Sequence, residues 1–247
     1  ASAGQQLLAA GTRLGAAELA RLASCGISQL AVTVRPRLGL LITGEELIPP
    51  GERRPPGAIW ESNGTLLESL LIRLGYPVAQ RRVVADDPAA LRLALQELAA
   101  GSDVVVSTGG VSAGDSDWIR PLLAELGEVA FWKLFLKPGR PFAFGSLQGP
   151  SGQAIPFFGL PGNPVAAAIT ALQLLCPALQ QLEGAKPQLL PRFQLPLAQD
   201  LRRRAGRPEL ARARLHVDGS GVPMAWLEGS QASSRIGSLQ EADLLLE

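Results

Sequence analysis

The chain has few of the side chains on which many catalytic and metal sites depend. Its 247 residues include one histidine, two cysteines, one tyrosine and one methionine. A Ser-His-Asp triad is not expected, because the single histidine, His216, lies among arginines and is interpreted as a surface or packing residue. Zinc is not expected either, since suitable groups of Cys and His ligands are missing. Cys25 and Cys176 are interpreted as core residues of a reduced, cytoplasmic protein.

Charge and hydropathy exclude further classes of protein. Lys and Arg total 23 against 22 Asp and Glu, so net charge gives no reason to expect a nucleic acid or a membrane as partner. We expect no apolar run long enough to span a bilayer. A Gly-x-x-x-x-Gly-Lys-Ser/Thr loop is also missing, which argues against a P-loop nucleoside triphosphatase.

Strand-like and helix-like segments alternate along most of the chain. Strands are predicted at residues 30–34, 38–42, 78–84, 104–106, 129–136, 141–147 and 154–160, and helices at 15–23, 63–74, 88–101 and 165–175. This order predicts an α/β fold with a three-layer, doubly wound, mostly parallel sheet that binds ligands at the carboxyl ends of its strands. We predict that residues 13–184 form this domain, that 187–247 form a small and incomplete C-terminal β-domain, and that 1–12 are the remnant of a preceding domain.

Two glycine-bearing loops follow predicted strands and open predicted helices. Gly109, Gly110 and Gly114 carry no Cβ, so backbone N–H groups there approach an anion closely, and the helix that follows adds its positive dipole end. A second loop, residues 159–164, has Asn163 as a natural N-cap and Pro164 at the first helical position. Both loops are therefore predicted to bind anions.

Acidic and basic side chains accompany these loops. Five acidic residues follow strand-like runs and are predicted to meet at one sheet edge: Glu46, Asp86, Asp87, Asp115 and Asp117. Carboxylates beside an anion require a hard cation between them, most plausibly Mg²⁺, although each residue taken singly also fits a cap or turn. Lys133 and Lys137 are predicted to share one face of a strand and meet the anion there. The alternative is an edge strand protected by lysines.

Seven segments together resemble the molybdopterin molybdenumtransferase family, which is related to the C-terminal domain of gephyrin. They are residues 43–47, 62–63, 86–88, 107–117, 131–133, 137–145 and 159–164. The chain differs from the family pattern at Glu45, where Asp is usual, and at Arg140, where Lys is usual. The family carries two further domains ahead of this region.

The resemblance implies a molybdopterin-binding-type fold and a specific reaction. Adenylylated molybdopterin and molybdate are the implied substrates, Mg²⁺ is the implied cofactor, and molybdenum cofactor and AMP are the products. Matching motif positions imply three acidic active-site residues that hold the metal or act near it, Glu46, Asp86 and Asp117, and two anion-binding lysines, Lys133 and Lys137. The implied ligand-binding residues are Thr108, Gly109, Gly110, Ser112, Gly114, Asp115, Arg140, Pro161, Gly162, Asn163 and Pro164.

The resemblance also implies a homodimer and a possible molybdopterin adenylyltransferase partner. Two alternative functions stay open at this point. In the first alternative, the chain is a non-catalytic pterin-binding or scaffold module of the same fold. In the second, it is a molybdopterin adenylyltransferase that binds ATP at the Thr108-Gly109-Gly110 loop.

Overall fold

The computed structural model of the protein describes residues 1–111, 117–203 and 205–247, and of Trp132 the backbone alone. The strands are β1 (Leu38–Thr43), β2 (Leu47–Ile48), β3 (Ile59–Trp60), β4 (Val78–Val84), β5 (Val104–Thr108), β6 (Gly127–Trp132), β7 (Ala143–Gln148), β8 (Ala154–Leu160), β9 (Ala211–Val217), β10 (Pro223–Leu227) and β11 (Leu244–Leu246). The α-helices are α1 (Ala16–Ser24), α2 (Asn63–Arg73), α3 (Pro88–Gly101), α4 (Ile119–Leu126), α5 (Pro164–Thr170), α6 (Cys176–Leu182) and α7 (Gly237–Gln240).

A six-stranded sheet in the order β4-β1-β5-β8-β7-β6 forms the centre of the molecule. Strands β4, β1, β5 and β8 run parallel to one another, β7 pairs antiparallel with β8, and β6 pairs antiparallel with β7. The predicted mostly parallel sheet is confirmed. Strands β2 and β3 form a separate two-stranded parallel sheet.

Two hydrophobic cores cover the two faces of this sheet. Successive residues of a strand point to opposite faces, so Leu40 and Ile42 of β1 pack with α2, α5 and α6, whereas Leu41 packs with α3 and α4. Both faces of the parallel strands are thus buried, and the predicted three-layer arrangement is confirmed.

The connections place a crevice at the carboxyl ends of β1 and β5. After β1 the chain passes through α2 to β4 on one side, and then through α3 to β5 on the other side of β1. Ligands of open α/β sheets bind where the strand order reverses in this way. The loops that begin after Thr43 and after Thr108 therefore border the expected ligand crevice.

Local sequence signals explain where two helices begin. Asp87 caps α3, because its carboxylate accepts a hydrogen bond of 2.7 Å from the backbone N–H of Ala90, and Pro88 occupies the first turn. Asn163 is the N-cap of α5, and Pro164 begins that helix. Both predicted starts are confirmed.

Two predicted strands differ from the structure. Residues 30–34 form no regular strand, and the side chains of Val32 and Val34 are exposed. The strand predicted at 129–136 ends at Trp132, because Lys133 adopts a left-handed backbone conformation with φ of 79°. Lys133 and Lys137 therefore do not alternate along one strand, and the prediction that they share a strand face was wrong.

The helix predicted at 165–175 continues to Leu182 through a π-helical segment, Ala171–Leu175. Pro177 lacks an N–H and disrupts regular α-helical hydrogen bonding, whereas Leu175, Cys176 and Leu179 remain buried and hold the helix on the sheet. By length and composition, Pro164–Leu182 is apolar enough to cross a membrane, with a mean hydropathy of 1.5. The expectation that no run is long enough was thus wrong, although more than half of this helix is buried against the protein core.

One of the two cysteines was also placed incorrectly. Cys25 follows α1 directly and is exposed, because this short helix buries only Leu22. Cys176 is buried, as predicted.

The C-terminal part contains a small antiparallel sheet in the order β10-β9-β11. His216 lies exposed on β9, with its ring 6.2 Å from that of Trp226, as expected for a surface residue. The segment that leads into β9 joins residue 137: the N–H of Lys137 donates to Pro208 at 2.9 Å, and the N–H of Leu210 donates to Lys137 at 2.8 Å. This pairing brings the small sheet to the carboxyl edge of the large one.

Candidate functional site

A cavity of about 1040 Å³ lies at the carboxyl edge of the large sheet. Its walls come from the ends of β1, β5 and β8, from residues 136–141, and from the C-terminal sheet. Ligand sites of this architecture occupy the same place. Predicted site residues that line the cavity are Glu46, Asp86, Gly109, Gly110, Lys137, Arg140, Pro161, Gly162, Asn163 and Pro164.

The first glycine loop needs glycine for two separate reasons. Gly109 and Gly110 have φ of 90° and 61°, a region that favours glycine. A Cβ on Gly109 would also collide with the carbonyl oxygen of Thr43. The ends of β1 and β5 thus approach each other so closely that position 109 has no room for a side chain.

Two of the predicted carboxylates lie on the cavity wall. Asp86 accepts a hydrogen bond from the hydroxyl of Thr43, which holds its side chain at the end of β1. Glu46 follows the same strand and is exposed. Asp87, in contrast, faces the first turn of α3 and caps it.

The predicted metal ligands are only partly brought together. Across residues 1–111, 117–203 and 205–247, no group of three or more His, Cys, Asp or Glu side chains is close enough to hold a metal ion. Glu46 and Asp86 share the cavity wall, whereas the described residue Asp117 does not line it. The assignment of these three residues as metal ligands stays a prediction.

The basic residues also separate into two groups. Lys137 and Arg140 line the cavity, and the Nζ of Lys137 lies 3.1 Å from a carboxylate oxygen of Glu209. Lys133 is exposed and is not among the described lining residues, because the chain turns at its left-handed backbone conformation. The peptide bond between Lys137 and Pro138 is cis.

Thr108 lies just behind the cavity wall. Its side chain is buried, and its hydroxyl donates to the carbonyl of Pro161 at 2.9 Å. It therefore connects the two predicted anion loops without lining the cavity itself. Three further predicted ligand-binding residues, Ser112, Gly114 and Asp115, lie outside the described residues.

The sequence analysis missed a second wall, which the C-terminal sheet supplies. Arg212 is only 1% exposed and lines the cavity, and its Nη2 donates to the carbonyls of Ser230 and Ala232 at 3.2 Å each. Its Nε has no hydrogen-bond partner within the described part of the chain. Burial lowers the pKa of Arg212 from its ordinary value, yet a guanidinium remains charged in proteins. The only sequence signal was the high density of arginines between residues 202 and 214.

Two further acidic residues on the wall, Glu61 and Glu209, were also missed. The carboxylate of Glu61 is already bound. It pairs with Arg81 and accepts a hydrogen bond of 2.6 Å from the N–H of Gly64. Glu61 is 3% exposed, so this pairing compensates a buried charge and shapes the start of α2.

Comparisons with known proteins agree with this architecture. Residues 39–181 match the family described as "Probable molybdopterin binding domain", and residues 194–247 match the MoeA C-terminal region, domain IV. The molybdopterin molybdenumtransferase of Haemophilus influenzae is 33% identical over 231 residues, which are 93% of this chain and 56% of that protein. The enzyme of the same name from Nostoc is 37% identical over 183 residues, covering 74% of this chain and 42% of its own length.

A solved structure is also similar. The molybdopterin biosynthesis MoeA protein from Pyrococcus horikosii has a TM-score of 0.72 at 26% identity, over 96% of this chain and 56% of that one. The chain spans about half the length of the curated relatives it matches. The chain belongs to the molybdopterin-binding domain family, and its relatives include the molybdopterin molybdenumtransferases.

Proposed function

We propose that this chain carries the ligand site of a molybdopterin molybdenumtransferase. Adenylylated molybdopterin binds in the cavity, its phosphoanhydride bond is cleaved with release of AMP, and molybdate is inserted into the dithiolene. The observation that carries this proposal is the convergence of two glycine-bearing loops, of carboxylates that include Glu46 and Asp86, and of four cationic side chains on one cavity: Lys137, Arg140, Arg207 and Arg212. The relatives named molybdopterin molybdenumtransferase support the same activity.

We assign a role to each site residue according to its charge and hydrogen-bonding groups. Backbone N–H groups at Gly109 and Gly110 bind the phosphate, and Lys137, Arg140 and Arg212 offset negative charge on phosphate or molybdate oxygens. We also propose that Asp117 and Lys133 act near this site, from the segments that border the cavity. Ser112, Gly114 and Asp115 complete the proposed ligand loop.

The carboxylates fit a magnesium ion that is held partly by the substrate. Mg²⁺ usually keeps several waters and uses one or two carboxylates together with substrate phosphates, rather than an all-protein cage. Glu46 and Asp86 are the two carboxylates that we propose for this role. When bound, Mg²⁺ would neutralise charge that develops on the phosphoryl oxygens.

The test compares two adjacent aspartates. Asp86→Asn should lower Mg²⁺-dependent AMP release by about a hundredfold or more, because it removes one of the two wall carboxylates that we propose as metal ligands. Asp87→Asn is the matched control, since Asn also caps helices well and Asp87 lies outside the wall. AMP is quantified in the presence of molybdate, and binding of adenylylated molybdopterin is measured by calorimetry with and without Mg²⁺. Equal losses in both variants would remove Asp86 from the mechanism.

A non-catalytic pterin-binding module is the second candidate. The lack of a three-carboxylate group in the described ranges favours it. Tight binding without AMP release in the presence of Mg²⁺ and molybdate would identify this function, whereas a flat titration would argue against both candidates. An adenylyltransferase would instead require ATP binding.

We further propose a homodimer in the cytoplasm, with a molybdopterin adenylyltransferase as possible partner and no nucleic acid or membrane partner. Both cysteines are free thiols, as expected in a reducing compartment, and the net charge of +1 provides no strong attraction to a polyanion. Light scattering of the purified protein tests the oligomeric state.

We propose that residues 13–184 and 187–247 form the two domains. The family matches support this division, because the first ends at residue 181 and the second begins at residue 194.

A further inference from the structure

One side chain, that of Asn63, connects the loops that follow three different strands. Asn63 is the first residue of α2, shortly after β3, and it lines the cavity. Its Nδ2 donates to the carbonyl of Gly162 at 2.6 Å and to the hydroxyl of Thr108 at 2.9 Å. The amide therefore bridges the end of β5 and the loop after β8.

The direction of these hydrogen bonds is determined by chemistry. A backbone carbonyl only accepts, so the nitrogen of the Asn63 amide must face Gly162. The single proton of Thr108 points to Pro161, so this hydroxyl must accept from Asn63. The chain of bonds from Asn63 through Thr108 to Pro161 thus has one arrangement, which an acceptor-only side chain cannot reproduce.

The two loops that Asn63 connects lie close together. A Cβ added to Gly162 would lie 3.5 Å from the Cα of Gly109, an ordinary van der Waals distance, so the space between the loops is about as wide as one methyl group. The hydrogen bonds of Asn63 and Thr108 join the loops across this space. The first loop carries the backbone N–H groups of Gly109 and Gly110 assigned above to the ligand phosphate, and the second loop, residues 159–164, is also predicted from the sequence to bind an anion.

We propose that Asn63 is a positioning residue, which keeps the Gly109-Gly110 and Pro161-Gly162 loops at the separation that the ligand requires. The identity of the ligand rests on the proposed function, whereas the effect on the loops does not. Displacement of a binding group by about 1 Å can lower a reaction rate by about a hundredfold. Hydrogen bonds that fix the positions of two ligand loops therefore affect function.

The first experiment needs no ligand and uses hydrogen–deuterium exchange. Asn63→Asp keeps the shape of the side chain but cannot donate, and Thr108→Val removes the hydroxyl. We expect amide exchange at residues 109–111, 160, 162 and 163 to be about tenfold faster in both variants, with exchange in β1 unchanged. Thr108→Ser keeps the hydroxyl and should behave like the unaltered protein.

Thr170→Val is the matched control for loss of a buried hydroxyl. Thr170 is fully buried, and its hydroxyl donates only within its own helix, to Ala166 at 2.8 Å and Ala167 at 3.1 Å. This variant should leave exchange in the two loops unchanged. If Asn63→Asp does not fold, the comparison of Thr108→Val with Thr108→Ser and Thr170→Val decides the question.

The second experiment measures AMP release by the Mg²⁺-dependent reaction. Asn63→Asp and Thr108→Val should raise KM for adenylylated molybdopterin about tenfold or more, with a smaller change in kcat. The double variant should be no worse than the more impaired single variant, because both changes interrupt the same chain of bonds.

Two results would overturn the proposal. Unchanged loop exchange in Asn63→Asp, together with weaker binding, would mean that Asn63 contacts the ligand directly. Additive effects in the double variant would mean that Asn63 and Thr108 act independently. Failure of the unaltered protein to bind adenylylated molybdopterin would contradict the proposed function alone, since the exchange experiment remains decisive for Asn63.

Discussion

At the scale of the residue, burial rather than residue type determines how a side chain behaves. Cys25 and Cys176 have the same chemistry, but Cys25 is exposed beyond a short helix and Cys176 is packed into the core. Desolvation disfavours the thiolate and raises the pKa of Cys176 to about 11. The reactive form of Cys176 is therefore nearly absent at neutral pH.

This difference predicts selective labelling of the two thiols. With a thiol reagent at about pH 8, near the ordinary cysteine pKa, we expect Cys25 to react in the folded protein and Cys176 only after unfolding in urea. Because the pKa of Cys176 is raised in the folded state, the free energy of unfolding is highest below the unfolded-state pKa of this thiol. It decreases as the pH rises through about 11. Cys25→Ser is the control and should leave a folded protein without fast labelling. Rapid labelling of Cys176 in the native state would contradict its burial.

At the scale of the element, patterns confined to a few neighbouring residues were predicted well. β4 and β8 have the predicted bounds, and α3 begins and ends as predicted, because cap, first-turn proline and apolar periodicity are all local. Residues 30–34 alternate like a strand but form none, since a strand also needs a hydrogen-bonded neighbour. The sequence pattern at residues 129–136 contained no sign of the left-handed conformation at Lys133 that ends β6.

The cap of α3 gives a prediction for a single element. Asp87→Ala removes the acceptor for the N–H of Ala90 and should lower the free energy of unfolding by about 1 kcal/mol. Urea denaturation at pH 7 measures this change. Asp87→Ser, which retains a capping oxygen, should recover most of the loss. If the alanine and serine variants are equally stable, the side chain of Asp87 does not stabilise the helix.

At the scale of the whole molecule, ion pairs between distant segments tie the layers together. Glu183 at the end of α6 accepts a hydrogen bond of 2.9 Å from the hydroxyl of Tyr76 and lies 3.9 Å and 3.8 Å from Arg13 and Arg35. This cluster attaches the N-terminal segment to the α/β layers. Desolvation, followed by the bond to Glu183, raises the pKa of Tyr76, so its hydroxyl stays protonated.

Acid should weaken these long-range connections in a defined pH range. Hydrogen bonds from Arg37, which precedes β1, lower the pKa of Asp103, which precedes β5. A lowered folded-state pKa adds stability above the unfolded-state pKa of about 4, and this stability is lost as pH falls through the folded-state value.

We therefore expect Asp103→Asn to reduce the decline in unfolding free energy below about pH 4, with only a small loss at pH 7 because the pair is half-exposed. Urea denaturation across a pH series measures the difference. The control is Asp200→Asn, an exposed carboxylate of the same type. Parallel pH profiles for Asp103→Asn and the unaltered protein would argue against this role for Asp103.

The sequence by itself determined the alternation of strands and helices, the glycine loop after β5, the caps of α3 and α5, and the family resemblance. The elements, the loop and the caps depend on side chains within a few positions of one another, whose backbone preferences act locally, and the resemblance depends on the order of seven short segments. Only the tertiary structure decided which charges share the cavity. It added Arg212 and Glu61 and left Lys133 outside the described wall. The physical reason is that membership of the site depends on where strands from distant parts of the chain end, and on a small sheet that pairs with Lys137 through backbone hydrogen bonds.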